Sequence, residues 1–389
     1  MPSGQWYRNR RVQNQQRKTG AKVMTRVVVG MSGGVDSSVA AALLKEQGYD
    51  VIGIMLRLWS EDVEDDSDPA ENKCCSLESV ADARKVASML GIPFYVVNVE
   101  QPFRETIVDY FYEEYAAGRT PNPCLRCNRH IRFTLLLERA LALGAEYLAT
   151  GHYVRVEDHP VTGLRRLRMG INADKDQSYV LHVLSQEQLR HALFPLGNFT
   201  KPQVRQMAAE RGLTVAQKAE SQEICFVAHN DYRGFMRRYA TATGRTMPAP
   251  GPIIDMEGQR LGTHSGLANY TIGQRKGLGI SAPVPLHVVK MESGTNTLVV
   301  GPASHLERIN FSTRETRFVS GQYPDHPFNA MVKVRYKALP VAGLVTPLAD
   351  GRADIKLEYP QRAITPGQAA VFYGGEDGTE VLGGGLIAS

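Results

Sequence analysis

The run Arg26-Val27-Val28-Val29-Gly30-Met31-Ser32-Gly33-Gly34-Val35-Asp36-Ser37-Ser38 decides the fold. Its opening valines read as a buried strand, and from Ser37 to Gln47 apolar residues recur at helical spacing until Gly48 closes the segment. Strand, glycine turn and helix in that order make a phosphate-binding turn. Gly33 and Gly34 let the backbone approach an anion with no side chain in the way, and the amides that open the helix near Ser37 point at the same place. Asp36 repels phosphate, so its partner is a hard cation bridging phosphate oxygens, for which magnesium is the fit. No Gly-Lys-Ser/Thr follows, so this is not a Walker loop, and the spacing is not Gly-x-Gly-x-x-Gly. The alternative is an ordinary glycine-rich turn.

Outward from this turn, strand and helix alternate to about Thr150. Val51 to Leu56 and Phe94 to Val99 read as strands, with a helix from Leu77 to Leu90 between them, stopped by Gly91. Helices follow from Phe103 to about Ala117 and from Phe133 to Leu143, separated by the Gly118 to Pro123 loop, and Tyr147 to Thr150 is a further strand. This is α/β layering: a doubly wound parallel-sheet nucleotide-binding domain, with ligands at the C-terminal ends of its strands. Three segments reach that edge, namely the phosphate turn, the residues after Met55, and Thr150-Gly151-His152-Tyr153. The acidic stretch Glu61 to Glu71 is a solvated loop, or a lid beside that edge. Between Leu164 and Lys218 the pattern is irregular and then helical, with Asp174 to Tyr179 as a polar knot and Lys201-Pro202 opening a helix to Arg211. After Cys225 the chain becomes rich in proline and glycine. From about Pro285, alternating runs such as His287 to Lys290, Met331 to Tyr336 and Ala370 to Tyr373 predict a small all-β barrel. The expected division is a tail over 1–23, a catalytic domain over 24–218, a small central connecting domain over 219–284 and a C-terminal all-β barrel over 285–389.

The chain has 389 residues and 43% hydrophobic content, with no run that approaches a membrane span. Its net charge is +5, but the first 24 residues hold Arg8, Arg10, Arg11, Arg17, Lys18 and Lys22 and no acid, which leaves the rest near neutral. Any nucleic-acid surface is therefore a local patch. The tail to Lys22 reads as a disordered basic segment, either upstream of a natural start at Met24 or a targeting peptide. Five cysteines with no secretory signal point to a reducing, cytoplasmic setting and to chemistry rather than a disulfide framework. Cys124-Leu125-Arg126-Cys127 alone is half a zinc site, a redox pair, or a pair of which one is catalytic; Cys74 and Cys75 could complete a zinc set. Cys225, between Ile224 and Phe226, would by itself be a buried structural thiol.

The Ser-Gly-Gly-x-Asp-Ser pattern resembles the pyrophosphate loop of enzymes that split ATP between its first and second phosphates. Five further motifs join it in order: Pro121-Asn122-Pro123 with Cys127-Asn128, Ala149 to Tyr153, Lys175 to Tyr179, Ser221 to Phe226, and Gly273 to Gly277. With these the chain, from about Met24 onward, resembles bacterial and organellar tRNA 2-thiouridylases. The resemblance implies that Cys127 is the nucleophile and Cys225 carries a persulfide. It implies an ATP site of Gly30, Met31, Ser32, Gly33, Gly34, Val35, Asp36 and Ser37, with Met55 near the adenine and Gly151 at the neighbouring strand edge. The target base would lie against Asn122, Pro123 and Cys124, and other tRNA contacts would fall on His152, Lys175, Asp176, Gln177, Arg335, Tyr336 and Gln368. Some relatives carry Asp where this chain has Cys124; a thiol is a poorer proton shuttle, so an acid/base role there passes to water or another group.

The implied activity is ATP-dependent 2-thiolation of the wobble uridine of tRNA, bound through its anticodon stem-loop. AMP is placed on the uracil 2-oxygen, a persulfide sulfur from a sulfur-relay donor protein replaces it, and a Cys127–Cys225 disulfide remains. The two cysteines, 98 positions apart, must then come within about 7 Å, Cα to Cα, in at least one state. ATP and magnesium are the expected cofactors, an iron–sulfur cluster is less favoured, and no metal ligand is assigned. Competing readings are another pyrophosphate-loop synthetase or amidating enzyme, which has no need of either cysteine, and a metal or iron–sulfur protein using Cys124, Cys127 and Cys225.

Overall fold

The computed structural model describes residues 24–61, 76–220 and 224–388. The basic tail, most of the acidic stretch, Cys74, Cys75 and Ser221-Gln222-Glu223 lie outside the described residues. The first domain carries β1 (Arg26–Gly30), β2 (Asp50–Arg57), β3 (Phe94–Asn98), β4 (Tyr147–Ala149), a hairpin of β5 (Val154–Asp158) and β6 (Arg165–Met169), and β7 (Ala192–Leu193). Its sheet runs β3-β2-β1-β4-β7, with every neighbouring pair parallel. Chain order reverses between β1 and β4, and a crevice opens at such a switch point beyond the strand ends. Val27, Val28 and Val29 are wholly buried, as expected of a central parallel strand covered on both faces.

The helix Val35–Glu46 follows β1 directly, and Leu77–Leu90 is capped by the Ser76 hydroxyl and ended by left-handed Gly91. The helix carrying Cys124 and Cys127 starts at Pro123, about ten residues before the start expected at Phe133. Asn122 accepts the Cys124 amide at 3.2 Å as N-cap, and Pro123 takes the first helical position, where its missing N–H costs nothing. From Cys127 to Leu136 this helix winds with π geometry, a widening that recurs at functional sites.

A second sheet is ordered β10-β11-β8-β9, from β8 (Gly251–Ile254), β9 (Arg260–His264), β10 (His287–Glu292) and β11 (Thr297–Gly301). The alternation at His287 therefore pairs into this middle unit rather than the barrel: alternation marks a half-buried strand without naming its sheet. The barrel comprises β12 (Glu307–Phe318), β13 (Phe328–Lys333), β14 (Val341–Leu348), β15 (Arg352–Arg362), β16 (Ala369–Gly374) and β17 (Glu380–Ile387). Pairing of β12 with β17 closes these six antiparallel strands and removes their edges. The β5–β6 hairpin, from a region that reads as irregular, extends the barrel sheet through Arg168 opposite Glu380. This gives the expected architecture of a doubly wound nucleotide-binding domain, a small middle domain and a C-terminal β-barrel. Among the described residues no helix is long and apolar enough to cross a membrane.

One apolar cluster binds the helices around Phe103 and Phe111 to the ends of β2 and β3 and to the segment from Ile224 to Tyr239. Phe111 meets two of its rings edge-on, 5.2 Å from Phe226 and 5.8 Å from Phe235, centroid to centroid. Phe111 is fully buried, so Phe111→Ala should cost roughly 3–5 kcal/mol. Urea unfolding is expected to show a lowered midpoint.

Candidate active site

The phosphate turn lies at the switch point. Gly33 has φ of +69°, and a Cβ there would sit 2.3 Å from the Ser79 carbonyl oxygen, so only glycine fits. Gly34 is the N-cap of Val35–Glu46 and supplies no side chain to the first-turn amides, which stay available to an anion. The Ser37 hydroxyl accepts the Ser32 amide at 3.1 Å and donates to the Gly34 carbonyl at 3.3 Å, stiffening the loop. Met31 is buried under the loop and donates its amide to Ile54 at 2.8 Å. Gly151 presses against the loop from the exit of β4: a Cβ there would meet the Asp36 carbonyl carbon and the Ser37 nitrogen at 2.8 Å. Next to Ser79, which meets Gly33, an open cleft of about 410 Å³ is lined by Met55, Leu56, Leu58, Leu77, Val80 and Val96 together with the polar Arg57, Ser60 and Glu100. A cleft of mixed lining next to helix amides fits a nucleotide's base and phosphates.

Asp36 is held from two sides. The Lys201 ammonium donates to both carboxylate oxygens at 2.7 Å, and the Tyr153 hydroxyl donates to Oδ1 at 2.7 Å. Burial, with the Asp36 charge next, pushes the Tyr153 hydroxyl's pKa up, so it remains a donor. Lys201 also lies 3.2 Å from Glu220, whose other oxygen takes Lys175 at 2.5 Å. Lys201 is buried yet opens the helix Lys201–Glu210, where the helix dipole disfavours a cation. Sequence reading saw there only a helix start; the misplaced charge was the signal of a distant carboxylate partner.

Cys124 is exposed at the first turn of its helix, and Cys127, one turn on, is buried in the aromatic cluster against which Cys225 also packs. Among the described residues no three His, Cys, Asp or Glu side chains gather as a metal ligand set.

The residues expected to meet RNA divide into two groups. Tyr336 is half-buried, and its pKa is raised by burial and then by the charges of Asp176, Cys124 and Glu220, which places this barrel residue in the neighbourhood of both the Cys124 and the Asp176 segments. Arg335 is exposed. The others turn inward. Asp176 is buried, accepting the Gly170 and Ser178 amides at 3.0 and 3.2 Å, and Gln177 accepts the Tyr153 amide. The Gln368 side chain donates to the Thr120 carbonyl at 2.9 Å and so clamps the loop before Asn122 to the barrel. His152 is buried, with Nδ1 2.7 Å from the Thr150 hydroxyl and Nε2 3.4 Å from Arg132. Burial, and then Arg132, lowers its pKa to about 3, so the ring is neutral.

The parallel-sheet switch point with its phosphate turn defines a nucleotide-binding domain of the HUP class. Three family models match in chain order: a tRNA methyl transferase HUP domain over residues 25–229, a tRNA methyl transferase PRC-barrel domain over 242–302 and an aminomethyltransferase beta-barrel domain over 308–387. A tRNA-specific 2-thiouridylase MnmA of Roseiflexus castenholzii is 47% identical over 379 residues, covering 94% of this chain and 100% of the relative. That of Heliobacterium modesticaldum is 50% identical, covering 93% and 92%, and that of Magnetococcus marinus 50%, covering 93% and 98%. The chain belongs to the tRNA-specific 2-thiouridylase family, the tRNA-uridine 2-sulfurtransferases.

Two outcomes follow from this geometry. Lys201→Met is expected to weaken ATP binding at least tenfold in titration calorimetry, about 1.4 kcal/mol, with Lys201→Arg retaining part of the affinity. His152 has a folded pKa near 3 against the ordinary 6.5. Its neutral form is favoured by folding, so its stability contribution is complete above pH 6.5 and falls as pH drops toward 3, by at most about 1.4 kcal/mol per unit. His152→Gln should flatten the fall in urea midpoint between pH 7 and 5 relative to the parent.

Proposed function

We propose that this chain carries out ATP-dependent 2-thiolation of the wobble uridine of tRNA, a reading carried by one observation: the phosphate turn and both Cys127 and Cys225 gather beyond the C-terminal ends of the same parallel sheet. ATP lies with its base along the Met55 cleft and its phosphates on residues 30–37. Asp36 is the residue that would hold magnesium, which when bound would supply neutralisation of the charge on the leaving pyrophosphate. Lys201 then leaves Asp36 for the phosphates. The uracil 2-oxygen attacks the α-phosphorus and pyrophosphate departs, converting a poor leaving group into AMP.

A sulfur-relay protein loads Cys225 as a persulfide. Its terminal sulfur attacks uracil C2, the C2–O bond breaks, and AMP leaves with the electron pair. The Cys127 thiolate takes the Cys225 Sγ, forming a disulfide as the transferred sulfur is reduced by two electrons; an external thiol resets the pair. A free thiol near pKa ~8.5 is a few per cent ionised at neutral pH, and that thiolate fraction of Cys127 is the species that reacts. The base lies against Asn122, Pro123 and Cys124; Lys175, Arg335 and Tyr336 reach the RNA, while His152, Asp176, Gln177 and Gln368 hold the loops that do. The enzyme works in the cytoplasm.

The test is the 2-thiouridine content of tRNA after incubation with enzyme, ATP, magnesium and a persulfide donor. The parent should thiolate, and Cys127→Ser and Cys225→Ser should each lose at least a hundredfold in rate while the parent's pyrophosphate release persists. Full activity in either variant would remove that cysteine from the chemistry and favour an amidating synthetase.

A further inference from the structure

The basic residues of the catalytic helix have no part in the chemistry above. Arg126, Arg129 and His130 stand three and four residues apart, on one side of the helix, and meet Arg317 of β12 in a pocket between the helix and the barrel. The cations are only partly neutralised. Burial lowers the Arg129 pKa and proximity to Arg317 lowers it further, with Glu315 opposing them in part; burial and the neighbouring arginines lower His130 likewise, again partly opposed by Glu315. The Arg126 guanidinium lies 4.1 Å from the Tyr110 ring centroid, and its buried Nε has no hydrogen-bond partner. The one acid among the pocket's lining residues, Glu315, also pairs with Arg314 at 2.9 Å, so its charge is shared between that arginine and the pocket. Glycines form the floor: a Cβ on Gly384 would stand 2.8 Å from the His182 ring. His182 adds no charge, since burial lowers its pKa to about 4.

We propose that this pocket binds a phosphodiester of the substrate RNA strand, next to the nucleotide whose base enters at Cys124. The inference rests on the reading of the enzyme as tRNA-modifying. Guanidinium forks match phosphate oxygens, and an anion relieves repulsion among cations that outnumber the single acid of the pocket. Arg129 follows Cys124 by five residues, little more than one helical turn, so one strand can span both. Arg317 is exposed at the rim, which suits a polymer that enters from solvent.

The experiment measures the affinity of the full-length enzyme for unmodified tRNA, and its salt dependence, for the parent, Arg317→Gln, Arg317→Lys and Arg129→Gln/Arg317→Gln. ATP affinity and thermal midpoint are read alongside. Losing one phosphate contact on a single strand reduces the slope of log K against log salt by ~0.7. Arg317→Gln should show that reduction and bind RNA several-fold more weakly, and the double variant roughly tenfold or more. Arg317→Lys should keep the slope, and ATP affinity should not change. Unchanged RNA affinity and slope in Arg317→Gln would overturn the proposal, as would weaker ATP binding with RNA binding intact, which would make the pocket a site for free nucleotide or phosphate. A parent that does not bind RNA would overturn the functional reading itself, a result distinguishable from the others because it appears before any substitution.

Discussion

The ion pair between Asp36 and Lys201 ties the site together. It joins residues 165 positions apart, one in the first turn after β1 and the other at the head of a helix that follows β7. Tyr153 adds a hydroxyl from beyond β4, and Glu220 extends the network to Lys175. Loop, switch-point crevice and Lys175 segment are thus fixed by one buried charge. The charge is tolerable because Lys201 has two carboxylates within reach and Asp36 has two donors. The same pair explains how a lysine can open a helix against the dipole, and it keeps a cation beside the amides that would meet phosphate.

Around this centre the barrel acts on the site through backbone contacts. Gln368 and Pro366 bond to Thr120, and a Cβ on Gly367 would stand 2.8 Å from the Thr120 carbonyl oxygen. The loop that presents Asn122 and Cys124 is therefore gripped by the barrel on one side and by its own helix cap on the other. Tyr373 reaches Ser178, which is bonded to Asp176, so the Lys175 segment is braced from the barrel as well. The two loops expected to receive RNA are rigid because a third domain holds them, which suits a site that must keep reacting atoms aligned.

Much of this was legible in the sequence, for local reasons. Glycine at Gly33 and Gly34 after a valine strand follows from backbone sterics alone, and Leu77 to Leu90 carries its own cap and stop. The early start at Pro123 was hidden because Asn-Pro reads as loop, although asparagine as cap with proline at the first helical position is also a helix start. The strand at His287 carried the right period and gave no sign of its sheet. Lys201 was missed since its partner is remote. His152, Asp176, Gln177 and Gln368 were read as facing RNA, and a polar residue facing solvent looks in sequence like one bonded to a neighbouring backbone. Only the fold separates them: His152 and Asp176 are buried, Gln177 and Gln368 are half-buried on backbone partners, Lys175 is half-buried in its pair with Glu220, and Arg335 is exposed.

The central claim is that Cys127 and Cys225, packed on one cluster, exchange a sulfur. Its most direct measurement is the cysteine connectivity after a single turnover with persulfide-loaded enzyme, ATP and tRNA in the absence of reductant, read by mass spectrometry of alkylated peptides. A Cys127–Cys225 disulfide formed in proportion to thiouridine is the predicted result. Thiouridine formed with both cysteines still reduced, or with another pair oxidised, would contradict the account.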